Sequence, residues 1–349
     1  MKPLKIGDLI AKVPIIQGGM GVGVSLGGLA GAVAKEGAVG VISTAQIGYR
    51  DPDFHKHPAK SNLEAIETEI KKAKEISGGG IVGVNIMVAL KHFKEHVQAS
   101  IKAGADLIIS GAGIPMDLPA LVQGSNIKIA PIVSTKRCAN IILNKWFRSY
   151  KRLPDLVVIE GPKAGGHLGF SKEEAVDYPN YEEEVKDIIS FVNDFSKEHE
   201  AQIPVVVAGG IFDRSDIDKA LSLGASGVQM ASRFVATHEC DASMEYKQAY
   251  INATHDDVTI VSSPVGLPGR CINNKFVQMV TENGCKVTRC DQCLAKCNPA
   301  KIPYCITNAL IQAVKGNIDE GLLFCGDNVG KIKEIISVKQ LINELCMEG

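Results

Sequence analysis

His167 closes the run Glu160-Gly161-Pro162-Lys163-Ala164-Gly165-Gly166-His167. An imidazole titrates near neutrality, so it can act as base, acid or electrostatic partner. A histidine taken at random is more often a satisfied core or surface residue. Here Gly165 and Gly166 place it after an apolar strand, in a turn whose backbone can approach a flat ligand, and His167 becomes the leading catalytic candidate. Similar turns recur along the chain, at Gln17-Gly18-Gly19-Met20-Gly21, Ser110-Gly111-Ala112-Gly113, Ala208-Gly209-Gly210 and Gln229-Met230-Ala231-Ser232-Arg233-Phe234. Turns free of large side chains let backbone N–H groups reach an anion, and Ser232 adds a hydroxyl donor. Gly209-Gly210 and Gln229 to Ser232 therefore read together as a phosphate site, against the plainer alternative of two tight turns. Asn85, in Gly83-Val84-Asn85-Ile86-Met87, is a polar amide near the end of an apolar run. It suits the hydrogen-bonding edge of a heterocycle, or else caps the next segment. Ser134 and Lys136 add polar groups to the same rim, although Lys136 reads more readily as a surface cation.

A second constellation is made of thiols. Cys138, Cys240, Cys325 and Cys346 are scattered, as small buried hydrophobes are. Cys290-x2-Cys293-x3-Cys297-x7-Cys305 instead packs four thiols into sixteen positions. Four such ligands could surround one zinc ion or an iron–sulfur cluster, with Cys305 opening a helix at Ile306–Val314 whose N-terminus would favour a thiolate. The alternative is a set of inert reduced cysteines in a loop-rich lobe.

The elements that must position these residues alternate. Apolar runs predict strands at Ile15–Gly19, Val39–Thr44, Ile81–Met87, Leu107–Gly111, Lys128–Ser134, Leu156–Glu160, Val205–Gly209 and Val228–Ser232. Between them, apolar residues at three- and four-residue spacing predict helices, among them Leu29–Lys35, Leu63–Ile76, Glu95–Ala103, Lys136–Phe147, Glu183–Ser196 and Asp213–Leu223. Gly104, Gly124 and Gly224 sit where left-handed helix caps belong. Strands apolar almost throughout imply a parallel sheet buried on both faces. Eight strand–helix units favour an α/β (β/α)8 barrel over an open doubly wound sheet. The barrel is placed at 1–240, a cysteine-rich covering lobe at 241–327, and a helix packing back on the barrel at 328–349. Active sites of such barrels lie at the C-terminal ends of the strands, where the turns above fall.

Composition narrows the partners. A net charge of -1 gives no electrostatic reason to expect nucleic acid or an anionic membrane, and 5% aromatic residues leave few stacking platforms. The N-terminus lacks the h-region and cleavage site of a signal peptide, and no apolar stretch reaches membrane-spanning length, so a cytoplasmic location is expected. A homo-oligomer is left open.

The five motifs, Gln17-Gly18-Gly19-Met20, Gly83 to Met87, Glu160 to His167, Ala208-Gly209-Gly210 and Gln229 to Phe234, stand in an order that resembles the nitronate monooxygenase family. That family, formerly the 2-nitropropane dioxygenases, includes the flavin-type enoyl-acyl-carrier-protein reductases. The resemblance covers about residues 1 to 240 and thins beyond. It implies a β/α barrel with a lobe over FMN, with Asn85, Gly18, Gly19 and Met20 against the flavin ring. It further implies Gly165, Gly166, Gly209 and Gly210 near the ribityl-phosphate, Gln229, Met230, Ala231 and Ser232 at the phosphate, and His167 in the proton chemistry. Glu160 and Ser134 fall among the flavin-binding positions. Two activities follow from it: oxidation of alkyl nitronates, or reduction of a trans-2-enoyl thioester with NAD(P)H as co-substrate. The cysteine spacing is also similar to the cluster segment of iron–sulfur flavoenzymes of the 2,4-dienoyl-CoA reductase kind. Outside the resemblance, a cofactor-free barrel lyase or isomerase could use the same two loops for a substrate phosphate. A metal-stabilised binding protein would rest on the cysteine lobe alone.

Overall fold

The computed structural model describes residues 1–347. Eight parallel strands close a barrel: β1 Ile15–Gln17, β2 Val39–Ser43, β3 Ile81–Met87, β4 Leu107–Gly111, β5 Lys128–Val133, β6 Val157–Glu160, β7 Val205–Ala208 and β8 Gly227–Met230. Neighbours follow chain order, and β8 pairs with β1 through Val228 and Ile15 to complete the ring. All eight expected strands are present. Five of them stop one or two residues sooner than the apolar runs, because their last residues turn away to build the rim. Six helices meet the six expected segments, from Gly27–Lys35 to Arg214–Ser222. Gly104, Gly124 and Gly224 have φ of 82°, 81° and 101°.

Side chains alternate across the barrel wall. Ile16, Val39, Val41, Leu107, Ile109, Val158 and Val206 fill the interior, while Ile15, Ile42, Val82, Val84 and Ile108 pack outward against the helices. Burial on both faces is what the near-continuous apolar strands demand. The N-terminal hairpin, Leu4–Ile6 with Leu9–Ala11, places Leu4, Ile6 and Ala11 in the interior cluster. Its turn lies beside Lys128 at the start of β5, so it shuts the N-terminal end of the barrel. The open end is the one that carries the glycine-rich turns.

Beyond residue 240 the chain weaves back. The helix Met244–Asn252 inserts Tyr246 and Tyr250 into the main core, and Ile306–Val314 contributes Ile311, Ala313 and Val314. An antiparallel sheet joins Val258–Ser262, Pro268–Ile272 and the two-residue strand Gly166–His167. His167 is therefore held by a strand that arrives about a hundred residues later. The helix expected over 328–349, of which 348 and 349 lie outside the described residues, is interrupted: Val329–Lys331 makes one 3-10 turn, and a regular helix begins only at Val338, running to Cys346. Between them Ile336 pairs with Thr237, which draws the chain into an extended crossing. Leu341, Ile342 and Leu345 are then buried in the barrel's outer core. Among the described residues no helix is long and apolar enough to cross a membrane.

Candidate active site at the barrel mouth

One cavity of about 210 Å³ opens at the C-terminal ends of the strands. Its wall brings together Gly18, Gly19 and Met20 after β1, Asn85 in β3, Glu160 at the end of β6, and Gly165, Gly166 and His167 in the turn that follows. Gly209 and Gly210 after β7, with Gln229, Met230, Ala231 and Ser232 at the end of β8, complete it. Residues separated by more than two hundred positions meet because a barrel sets all strand ends in one ring. Ser134 is not on this wall; its carbonyl, with that of Glu160, takes the Tyr181 hydroxyl at 3.0 and 3.1 Å. Lys136 lies outside as well, its amine 3.7 Å from Asp187.

His167 shows the local physics most clearly. Its backbone pairs with Gly269, its Nε2 lies 2.7 Å from Ser263 Oγ, and Phe324 meets its ring edge-on at 4.9 Å. Ser263 Oγ also accepts from Val265 N–H at 3.3 Å, which orients the hydroxyl within its turn. Burial without a counter-charge lowers the imidazole pKa to about 4, so the ring is neutral at physiological pH. The unprotonated ring has a nitrogen able to accept a proton, and the imidazolium so formed would need an anion beside it as counter-charge.

The glycines divide into two kinds. A Cβ on Gly19 would lie 2.4 Å from Asn85 Cβ, and one on Gly165 would lie 2.5 Å from the Cys325 carbonyl carbon. Both are glycine because the protein's own chain occupies that space. Gly166, at φ +78°, has nothing within 4 Å of such an atom, so its bare face belongs to the cavity. Gly19→Ala is expected to cost about 1–3 kcal/mol, since Asn85 must move; urea unfolding with an unchanged m-value would measure it.

Several wall residues had no signal that sequence reasoning could use. The loop Cys325–Asn328 folds over the β6, β7 and β8 turns. Gly326 N–H donates to Ser232 Oγ at 2.9 Å, and Asn328 Nδ2 donates to the Gly210 carbonyl at 2.8 Å. Ser232 thus accepts from the cover and keeps its own proton for a ligand. Lys163 lies on the same wall, as does Phe212, whose ring carries Arg233 at 4.8 Å and Lys331 at 5.4 Å. Arg270 is not the surface ion-pair residue that its type favours. It is buried, and it donates to the carbonyls of Pro162, Ala164 and Ala175 while pairing with Asp327 at 3.2 Å. One guanidinium fastens the His167 turn to the covering loop.

The polar contents fit a heteroaromatic ligand. Asn85, Glu160 and Gln229 present side chains that make no hydrogen bond with any described residue. Gln17, at the same ring level, is satisfied by both main-chain groups of Val41. Three polar side chains on one cavity wall are thus left with hydrogen-bonding capacity that a ligand could use.

The thiols behave differently. Cys290, Cys293, Cys297 and Cys305 are close enough to influence one another's ionisation. Among the described residues, however, no three His, Cys, Asp or Glu side chains stand so as to hold a metal ion, and the expected zinc ion or cluster has no ready-made ligand set. Cys305 does cap the helix Ile306–Val314. Its thiol pKa is nevertheless raised, because burial outweighs the helix-end N–H groups that favour a thiolate.

The matches to known proteins agree with this geometry. The nitronate monooxygenase family model matches residues 2–348. A probable nitronate monooxygenase of Bacillus subtilis (strain 168) is 28% identical over 374 aligned positions, covering 96% of this chain and 95% of that one. The structure of FabK from Thermotoga maritima superposes with a TM-score of 0.73 at 25% identity, covering 95% of this chain and 91% of that one. A nitroalkane oxidase from Streptomyces ansochromogenes shares the fold, with a TM-score of 0.70 at 20% identity over 95% and 94% of the two chains. The fold, the mouth cavity and a match running from end to end converge on one assignment: this chain belongs to the nitronate monooxygenase family of flavin oxidoreductases.

Proposed function

We propose that this protein binds FMN in the mouth cavity and oxidises small alkyl nitronates, with His167 also able to generate them from nitroalkanes. The observation that carries the reading is an uncharged imidazole on the wall of a cavity with three open polar side chains. Asn85, Glu160 and Gln229 would hold the ring, while the turns at Gly209-Gly210 and Met230 to Ser232 would hold the phosphate. When bound, the flavin supplies a two-electron acceptor. His167 takes the α-proton of a nitroalkane on its free nitrogen, and the C–H electron pair moves onto the nitro group, giving the nitronate. Ser263 holds the other nitrogen and so fixes which one faces the substrate. Residues 241–327 act as the cover, because Ser263, Phe324 and the loop Cys325–Asn328 all meet the site from that side.

A second reading, reduction of a trans-2-enoyl thioester by NAD(P)H, is favoured by Glu160. Such a reduction needs a proton on the carbon next to the thioester, and burial keeps this carboxyl protonated at neutral pH. One experiment separates the two. The FMN-loaded protein is mixed anaerobically with propyl-2-nitronate, or with NADH or NADPH, and flavin absorbance is followed. Bleaching by nitronate alone is the expected outcome. Rapid bleaching by a nicotinamide alone transfers the assignment to the reductase, and a protein that takes up no FMN defeats both readings.

A further inference from the structure

Glu160 places a carboxyl on the cavity wall, and the fold decides its charge as it does that of His167. It ends β6 with its main-chain carbonyl tied to Tyr181, while its carboxyl has no hydrogen bond or ion pair with any described residue. The ionisable groups around it offer no compensation. Tyr181, from the helix Tyr181–Glu198, spends its hydroxyl on two carbonyls, and Glu184 of that helix accepts from Lys136 N–H. Lys163 and His167, in the turn after β6, make no hydrogen bond or ion pair with the carboxyl. The flanking strands β5 and β7 end in Ile132-Val133 and Val207-Ala208, which carry no charge. An unpaired carboxylate in such a place would be costly, whereas a carboxylic acid is tolerated.

A neutral carboxyl also has a chemistry that the ion lacks. It offers one O–H donor beside one C=O acceptor, whereas a carboxylate only accepts. The polar edge of an oxidised flavin ring carries four acceptors, N1, O2, O4 and N5, and a single donor, N3–H, so a carboxyl set against any of the four must donate. We propose, on the basis of the FMN reading above, that Glu160 works as an un-ionised acid that donates its proton in a hydrogen bond to the bound flavin, making flavin binding a proton-linked equilibrium. Its ionisation would remove the donor and set a negative charge against the ring. Burial alone acts on the group and raises its pKa to about 8, which places the transition at the alkaline edge of the physiological range.

The test is FMN affinity as a function of pH, read by quenching of FMN fluorescence as the apoprotein is titrated. For the native chain the Kd should be flat through pH 7 and then rise above about pH 8, approaching tenfold per pH unit. Glu160→Gln keeps a donor beside an acceptor but cannot titrate, so its Kd should stay flat over the same range. Equal slopes in the two proteins, or no slope in the native chain, would overturn the proposal. Failure of the native chain to bind FMN at any pH would remove the flavin reading and this inference with it. Infrared spectroscopy of the native apoprotein gives a check that needs no variant to fold. A protonated-carboxyl stretch should be present at pH 7 and fade as pH rises through about 8, and its absence at pH 7 also counts against the proposal.

Discussion

Replacing His167 with alanine should lower turnover of a neutral nitroalkane by about 10²–10⁴-fold, the usual worth of a positioned general base. Turnover of the preformed nitronate should change by less than about tenfold, because that substrate has already lost its proton. The difference between the two substrates is what assigns the role. A merely structural defect would depress both, and FMN affinity with them. Steady-state assays on nitroethane and ethylnitronate, with FMN uptake measured alongside, give the comparison. Equal losses on the two substrates would take the proton step away from His167.

The pH dependence follows from the same burial. An unperturbed histidine would have lost half of its basic form by about pH 6.5. Here desolvation penalises the imidazolium and lowers the pKa to about 4. The basic form therefore persists as pH falls, and nitroalkane turnover should decline only below about pH 5. Ser263 contributes geometry rather than charge. Ser263→Ala should leave that acid limb in place and reduce the rate by freeing the ring to reorient.

The largest effect on stability should come from Arg270. Its guanidinium is buried and serves three carbonyls and one carboxylate at distances from 2.6 to 3.2 Å. Arg270→Met keeps much of the side-chain volume but removes every donor, leaving Asp327 and the three carbonyls without their cation. Breaking one side of such a pair costs about 3–5 kcal/mol, more than its formation contributes, since the remaining groups stay desolvated. A matching fall in the urea midpoint with an unchanged m-value would show the loss to be one of stability. Weaker FMN binding should accompany it, because the same cation holds the turn of Gly165 to His167 against the loop at Cys325–Asn328. A loss below about 1 kcal/mol would mean that neighbouring groups replace these bonds.

Where the chain was legible, the reason was periodicity. Eight apolar runs and the amphipathic segments between them have spacings that favour a closed barrel over an open sheet, and a closed barrel then fixes which end carries the site. The turns holding His167, Gly209-Gly210 and Gln229 to Ser232 could be read as one rim for that reason, since strand order in a parallel barrel follows chain order. Ser134 shows where that logic stops. It follows β5 at the correct level, yet its side chain is not on the cavity wall, and the end of a strand does not say which way the next residue turns. The interrupted segment after Val329 failed for a related cause: its helical periodicity is real, but pairing of Ile336 with Thr237 overrides local preference.

The chain alone was enough to announce a parallel barrel, its glycine-lined rim and an imidazole upon it, because these depend on short-range pattern and on a topology with few solutions. Contacts across long stretches of chain settled the remainder. They buried Arg270 as a clamp, brought Ser263 to His167, left Glu160 without a counter-charge, and separated glycines crowded by protein from Gly166, which faces open space. Each of those outcomes depends on what desolvation and packing place beside a residue, and neighbours remote in sequence leave no mark on the spacing of the residues themselves.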